Sequence, residues 1–311
     1  MAGIDVGGTN IEAGLVGDDH RVLDRAKAPT PADGPDAVMD TIAELVGSLD
    51  GRPDAVGLGI PGVVHEGEVL TVPNLQNWHE SIDIVDALKR RVGVPVALGN
   101  DANVGLLGEW LAGAARGARN VLGVWMGTGI GGGLILDGRP FYGSRGAAGK
   151  VGHIIVQRDG ALCSCGRRGC VEADAGRRSK ESAVPAMVDA GRATSLDRIR
   201  EQDRKEKLTS KVWARALAEH DDLATELFDL AVKTRGAGIG STVNLLDLEL
   251  VVVGGGMAEK LGQDLADQVA AATVPWMLQP DPQLRCVAAE LEDDSGLVGA
   301  ASLGRAILVS G

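Results

Sequence analysis

The chain has no apolar run approaching the ~18 residues that a membrane span requires. Basic residues are in deficit: 31 Lys and Arg stand against 43 Asp and Glu, for a formal net charge of −12. That balance argues against partnership with nucleic acid or a membrane surface. It leaves phosphate ligands open, because backbone N–H groups and Mg²⁺ hold anions without Lys or Arg. The opening MAGIDVGG carries neither a basic segment nor a long apolar one, so no signal peptide is expected and the chain reads as cytoplasmic. Proline numbers only 12 and glycine shows no third-position period, which excludes collagen. The P-loop pattern G-x-x-x-x-G-K-[ST] is absent. Cysteine is scarce at four, and three of the four crowd into eight residues, a spacing that favours a metal over disulfides.

Glycine is in excess. It makes up 45 of 311 residues, about twice the usual share. A hydrophobic fraction of 44% suffices to bury a core, so disorder is excluded and the length suggests two domains or one large α/β unit. The glycines fall mostly in short clusters beside strand-like apolar runs.

Ala2 to Val6 reads as a buried strand, Gly7-Gly8-Thr9-Asn10 as a turn, and Ile11 to Val16 as a returning strand. Val38, Ile42, Leu45 and Val46 have helical spacing within residues 36–49. A strand over 55–60, a helix over 82–91, a strand over 94–98 and a helix over 102–115 follow, an α/β order. The pattern then restarts: Val121 to Met126 is a strand, Gly127 to Gly133 a turn, and Leu134 to Leu136 returns. Gly3-Ile4-Asp5-Val6-Gly7 matches Gly123-Val124-Trp125-Met126-Gly127 at an offset of 120 residues, which suggests two related halves. Residues 176–247 read as helix-rich, with Arg198 to Lys211 a solvated face or loop; a strand over 250–253 runs into Gly254-Gly255-Gly256, and a helix starts near Ala258. A closing helix covers 296–308. The expected division is a small domain of residues 1–115 plus 298–311 and a large one of 116–297.

Gly127-Thr128-Gly129-Ile130-Gly131-Gly132 satisfies G-x-G-x-x-G, but a strand and not a helix follows, which argues against a dinucleotide site. A glycine hairpin can instead bring backbone N–H groups close to phosphate oxygens. Gly7-Gly8-Thr9 and Gly127 to Gly133 are then candidate phosphate clamps, with Thr9 and Thr128 adding hydroxyls; plain tight turns are the alternative. Asp5, inside an apolar strand, requires a partner: a Mg²⁺ beside the phosphates, held directly or through water, or a structural hydrogen bond. Asp101 is either a helix N-cap or, beside a phosphate clamp, a general base for an attacking alcohol. His153, Cys163, Cys165 and Cys170 form H-x₉-C-x-C-x₄-C, suited to a closed, structural Zn²⁺. Gly160, Gly166 and Gly169 beside them fit a chain folding around an ion. Cys286 reads as an ordinary buried thiol.

Together, Asp5-Val-Gly-Gly-Thr-Asn10, Gly-Asn100-Asp101-Ala-Asn103, Gly127-Thr-Gly-Ile-Gly-Gly-Gly, Gly152-His153 with Cys163-x-Cys165-Gly-x-x-Gly-Cys170-x-Glu172, and Val253-Gly-Gly-Gly resemble the ROK family of sugar kinases and repressors. The similarity runs from residue 2 to about 305. Gly59-Ile60-Pro61-Gly62 and Pro73-Asn74-Leu75 look most like its glucokinase branch. The resemblance implies two actin-like ATPase (RNase-H-like) α/β domains with a cleft between them that closes over ATP and a hexose. Asp101 would take the proton of the sugar 6-hydroxyl. Asn74, Asn100, Lys150, His153 and Glu172 would line the sugar, with His153 also on zinc. Asp5 would assist Mg²⁺ indirectly. Gly7, Gly8, Thr9, Asn10, Thr128 and Gly129 would cradle phosphates, and Gly254, Gly255 and Gly256 would sit by the adenosine. Assembly as a homodimer or homotetramer is expected.

One position departs from the family. Its kinases usually read Glu-x-Gly-His where this chain has Lys150-Val151-Gly152-His153. Lysine only donates hydrogen bonds and reverses the local charge. Three readings stay open: glucose binds in weakened form, the substrate is another sugar or a cyclitol, or the protein is a sugar-binding pseudoenzyme. The repressor branch is not expected, since its winged helix precedes the first hairpin.

Overall fold

A computed structural model describes residues 1–65, 67–71, 77–78, 82–278 and 284–309. The chain forms two compact units, Met1–Arg119 with Gly133–Gly149 and Glu290–Gly311, and Asn120–Gly132 with Lys150–Ala289. The chain thus returns to the first unit twice, at 133 and at 290.

The first unit starts with β1 (Ala2–Val6), β2 (Asn10–Val16), β3 (Val22–Pro29), α1 (Pro35–Ser48) and β4 (Val56–Ile60). A small sheet follows, of β5 (Val63–His65), β6 (Glu68–Thr71) and β7 (Ile82–Asp83), then α2 (Ile84–Val92), β8 (Val96–Asn100) and α3 (Asp101–Ala112). Later come β9 (Val121–Met126), β10 (Ile130–Leu136), β11 (Arg139–Pro140), α4 (Val171–Ala175), α5 (Arg177–Asp189), α6 (Leu196–Gln202), α7 (Ser210–Ala218) and α8 (Asp222–Leu246). The chain ends with β12 (Leu250–Gly254), α9 (Ala258–Thr273), β13 (Arg285–Ala288) and α10 (Asp294–Val309).

The two large sheets have the same order, β3-β2-β1-β4-β8 and β11-β10-β9-β12-β13. In the first, β1 pairs antiparallel with β2 and parallel with β4. In the second, β12 pairs parallel with both β9 and β13. The repeat at offset 120 therefore places β1 and β9 at equivalent central positions.

The alternation of β1 determines what Asp5 faces. Ala2, Ile4 and Val6 are fully buried in a core with Val38, Met39 and Ile42 of α1 and Ile84 and Leu88 of α2. Gly3 and Asp5, with the opposite phase, face α10. A Cβ on Gly3 would lie 1.9 Å from the Leu297 carbonyl oxygen, and one on Gly57, its partner on β4, 1.6 Å from that of Ala300. Backbone meets backbone there, so α10 lies in a groove that only glycine leaves open. The glycine excess was expected to reside in ligand turns; part of it is instead spent on helix–sheet contact. The buried Glu109 fixes the approach to α10, accepting N–H bonds from Ala114, Glu290 and Leu291 at 2.9–3.1 Å.

Several boundaries differ from expectation. The turn after β9 is shorter, because β10 already starts at Ile130. The charged stretch from Arg198 is helical as far as Gln202, with Leu196 and Ile199 buried beneath it. Helix α3 stops at Ala112, where Gly113 takes a non-helical backbone. Edge strand β3 and the small sheet were not foreseen; β3 alternates half-buried and exposed residues and mixes charge with apolar side chains.

Candidate active site

In the first unit, β8 runs directly into α3, which places Asn100 and Asp101 at a strand end and a helix start. The cap of α3 is Asn100, not Asp101: its Oδ1 accepts from the Asn103 N–H at 3.4 Å. Asp101 is the first helical residue. Its Oδ1 accepts from the Asn100 amide and from the Ala102 N–H, both at 2.8 Å. The same Asn100 amide donates to the Gly62 carbonyl at 2.8 Å, so the loop after β4 and the carboxylate are fixed by one side chain.

Asp5 lies on the same unit, beside Glu12 of β2 and Gly59 of β4 in the sheet register. A Cβ on Gly296 would come within 2.9 Å of its Oδ2, which puts the carboxylate against the first turn of α10. Desolvation, followed by the charges of Asp101, Glu12 and Asp293, raises its pKa from 3.8 to about 7. A carboxylate with three acidic neighbours and little water is a place where a cation is welcome.

The first glycine turn closes on itself. The Gly7 N–H donates to the Asn10 carbonyl at 2.9 Å, while Thr30 holds the Gly7 carbonyl through Oγ1 at 2.6 Å and its N–H donates to the Thr9 carbonyl. Gly7 therefore spends its N–H inside the hairpin, and Gly8 and Thr9 form the tip.

The second unit repeats the device. The Gly127 N–H donates to the Gly129 carbonyl at 3.1 Å. Thr128 Oγ1 accepts from Arg177 Nη2 at 2.9 Å, and Arg177 also pairs with Glu181. Glu172 sits behind this turn: Oε2 accepts from the Ile130 N–H and Oε1 from the Ser164 hydroxyl, both at 2.8 Å. Gly129 is required, since its Cβ would lie 2.2 Å from Glu172 Oε2. One carboxylate thus ties the glycine hairpin to the cysteine loop.

That loop gathers His153, Cys163, Cys165 and Cys170, whose ligand atoms all lie within 4.8 Å of one another. His153 belongs to a short 3-10 turn begun by Lys150, whose carbonyl accepts the His153 N–H at 3.0 Å. Cys163 and Cys170 are buried and Cys165 is exposed. Gly166 and Gly169 take positive φ of 83° and 76°, as a chain wrapping an ion requires. Burial raises Cys163, and burial with the hydrogen bond to Cys165 pushes Cys170 to about 12. Cys165 is brought to about 7, desolvation being outweighed by bonds from Arg167 and its fellow cysteines. Three thiols this close do not all ionise without a cation.

At the end of β12, Gly254 packs on the Trp125 ring and Gly255 takes φ 86° ahead of α9. Gly256 faces Ser210 at the start of α7. Cys286 lies in β13 as a partly buried thiol pushed up to about 12 by burial. Asn74 falls outside the described residues. Arg177, Ser164 and Thr30 escaped the sequence reading, because nothing in their local spacing sets them apart from other surface-forming polar residues.

Paired sheets of identical strand order, each with a glycine hairpin between its two leading strands, define an actin-like ATPase fold. The sequence model of the ROK family matches residues 1–307, and the chain belongs to that family. The chain is 33% identical over 311 residues to a glucokinase of Streptomyces coelicolor, covering 97% of this chain and 96% of that protein. It is 31% identical to an N-acetylmannosamine kinase of Citrobacter koseri, covering 97% of each. A ROK family glucokinase of Streptomyces griseus, solved in complex with glucose and AMPPNP, superposes with a TM-score of 0.85 at 32% identity, covering 98% of this chain and 99% of that one. No described helix is long and apolar enough to cross a membrane.

Proposed function

We propose that this ROK sugar kinase transfers the terminal phosphoryl group of ATP to the 6-hydroxyl of a hexose, glucose foremost, with Asp101 as general base. The observation that carries the proposal is the bracing of Asp101 at the start of α3. Asn100 and the Ala102 N–H both grip Oδ1, which fixes the plane of the carboxylate. A carboxylate positioned in this way accepts the proton of an alcohol as it attacks phosphorus, a role worth ~10²–10⁴-fold in rate. The likeness to glucokinases along nearly the whole chain supports the same conclusion.

The remaining roles belong to the same proposal. Asn74, Asn100, Lys150, His153 and Glu172 contact the sugar. Glu172 Oε2 accepts from the Ile130 N–H, while Oε1 accepts from the Ser164 hydroxyl and the Cys163 thiol, and a carboxylate oxygen has two lone pairs to offer. Gly8, Thr9, Asn10, Thr128 and Gly129 hold the phosphates, Gly7 shapes the first of these turns with its N–H already given to Asn10, and Gly254, Gly255 and Gly256 hold the adenosine. Asp5 is the side chain that would hold Mg²⁺ through water; that ion neutralises phosphate charge when bound. Assembly as a homodimer or homotetramer completes the proposal.

Zinc fits the cysteine loop. Zn–S bonds of about 2.3 Å put two sulfurs of a tetrahedral site roughly 3.8 Å apart. Cys165 and Cys170 Sγ are 3.7 Å apart, and Cys163 Sγ is 3.7 Å from His153 Nδ1. With four protein ligands the ion would be structural, holding the His153 and Glu172 segments in place.

Lys150 favours a second substrate class, another sugar or a cyclitol, and a relative at 31% identity is an N-acetylmannosamine kinase, which agrees with substrate breadth among similar chains. A coupled ADP-release screen over hexoses, amino sugars, sugar acids and cyclitols identifies the acceptor. In that assay Asp101→Asn is expected to lose ~10³-fold in kcat while binding of the sugar survives. Wild-type turnover by the variant would remove Asp101 as the base.

A further inference from the structure

The second unit contains two buried basic side chains that no role above absorbs. Arg235 of α8 is 2% exposed and Lys180 of α5 is 5% exposed. Both donate to a single acceptor, the Ala175 carbonyl at the end of α4, Lys180 Nζ at 3.0 Å and Arg235 Nη2 at 2.8 Å. The two bonds use both lone pairs of that oxygen. Among the described residues, Arg235 Nε and Nη1 then find no acceptor, nor does the indole N–H of Trp213, whose ring lies 5.7 Å from Lys180 Nζ. The carboxylate nearest in influence, Glu181, is taken by Arg177 at 2.9 Å.

We propose that Lys180, Arg235 and Trp213 enclose an internal binding site for a small inorganic anion, with chloride as the representative occupant. The unpaired atoms of Arg235 and Trp213 are all N–H donors. A water molecule would supply acceptor lone pairs but would also bring two O–H groups that need acceptors of their own. An anion accepts only, and it also answers the charge. Burying a cation without a counter-charge is unfavourable, and a guanidinium does not escape by deprotonation. Burial brings Arg235 down only to about 10, so it remains charged at neutral pH. Loss of the Lys180 proton would relieve the repulsion between the two cations and leave the Arg235 donors unfilled. Ala175 precedes the Gly176–Arg177 link, whose Arg177 donates to Thr128 of the second glycine hairpin.

The test is thermal melting of the full-length protein in sodium chloride and in sodium gluconate at equal ionic strength, with crystals soaked in sodium bromide. Tm is expected to rise and saturate with chloride but not with gluconate. An anomalous bromide peak is expected against Arg235 Nε and Nη1. Trp213→Phe removes one donor at nearly constant volume and should raise the half-saturating chloride concentration several-fold. Arg235→Met should abolish the chloride effect. Equal melting in both salts together with no bromide peak at Arg235 would overturn the proposal, whether water fills the space or Lys180 is neutral. The bromide map on wild-type protein stays decisive if a variant fails to fold.

Discussion

Asp5 is costly to the fold, and Asp5→Asn should therefore stabilise the protein while impairing it. The carboxylate has a pKa of about 7 in the native chain against an ordinary 3.8. Between those values the native state holds a proton that the unfolded chain has released. Stability therefore falls as pH rises from about 4 to about 7 and is level above that. Three units of difference correspond to on the order of 4 kcal/mol at full ionisation. That figure is an upper limit, because the N-terminal dipole of α10 beside Gly296 favours the anion. An isosteric amide carries no such charge. Denaturant unfolding of wild type and Asp5→Asn, without nucleotide, should show nearly equal stability at about pH 4. The variant's advantage should grow by up to ~1.4 kcal/mol per pH unit and flatten near pH 7 to 8. Saturating Mg·ATP should lower the wild-type pH dependence, and the variant's kcat should drop. A difference that is constant with pH, or that shrinks as pH rises, would refute both the burial argument and the proposed cation role.

Gly129→Ala should displace Glu172, since the new methyl would lie 2.2 Å from its Oε2. Loss of the Ile130 and Ser164 bonds should lower stability by about 1–3 kcal/mol and reduce kcat/KM for the sugar, read by steady-state kinetics and melting. Exhaustive chelation should release one zinc per chain, measured by metal analysis. It should also increase proteolysis or hydrogen exchange over residues 150–172 and abolish sugar turnover; full activity in the metal-free protein would contradict the zinc role. Lys150→Glu should raise glucose turnover in the ADP-release assay, and an unchanged rate would place Lys150 outside the pocket.

Much of the framework was legible because glycine, apolar periodicity and ligand spacing are local signals. β1, β9 and the start of α9 fall where the sequence put them, since a buried central strand shows as a short, mostly apolar run flanked by turns. The four metal-binding candidates were legible for the same reason: their spacing is short and their chemistry is carried by the residue type. Edge strand β3 was not, because its alternation mixes charged and apolar residues and its partner lies across a turn. Of the two readings left open for Asp101, cap and general base, the cap falls instead to its neighbour Asn100; either residue type caps well, and the backbone of Asn100, extended at φ −72° and ψ 140°, decided it.

The α/β class, the duplicated halves, the glycine hairpins and the candidate metal ligands are encoded in runs of a few residues and could be read there. The folded structure settled the rest. It showed that Gly3 and Gly57 serve the approach of α10, separated from them by more than two hundred residues, and that Glu172 explains Gly129. It also revealed Lys180 and Arg235 as neighbours on one carbonyl, 55 residues apart in the chain. Steric exclusion, desolvation and hydrogen-bond saturation depend on which atoms meet, and that is fixed only when the chain has folded.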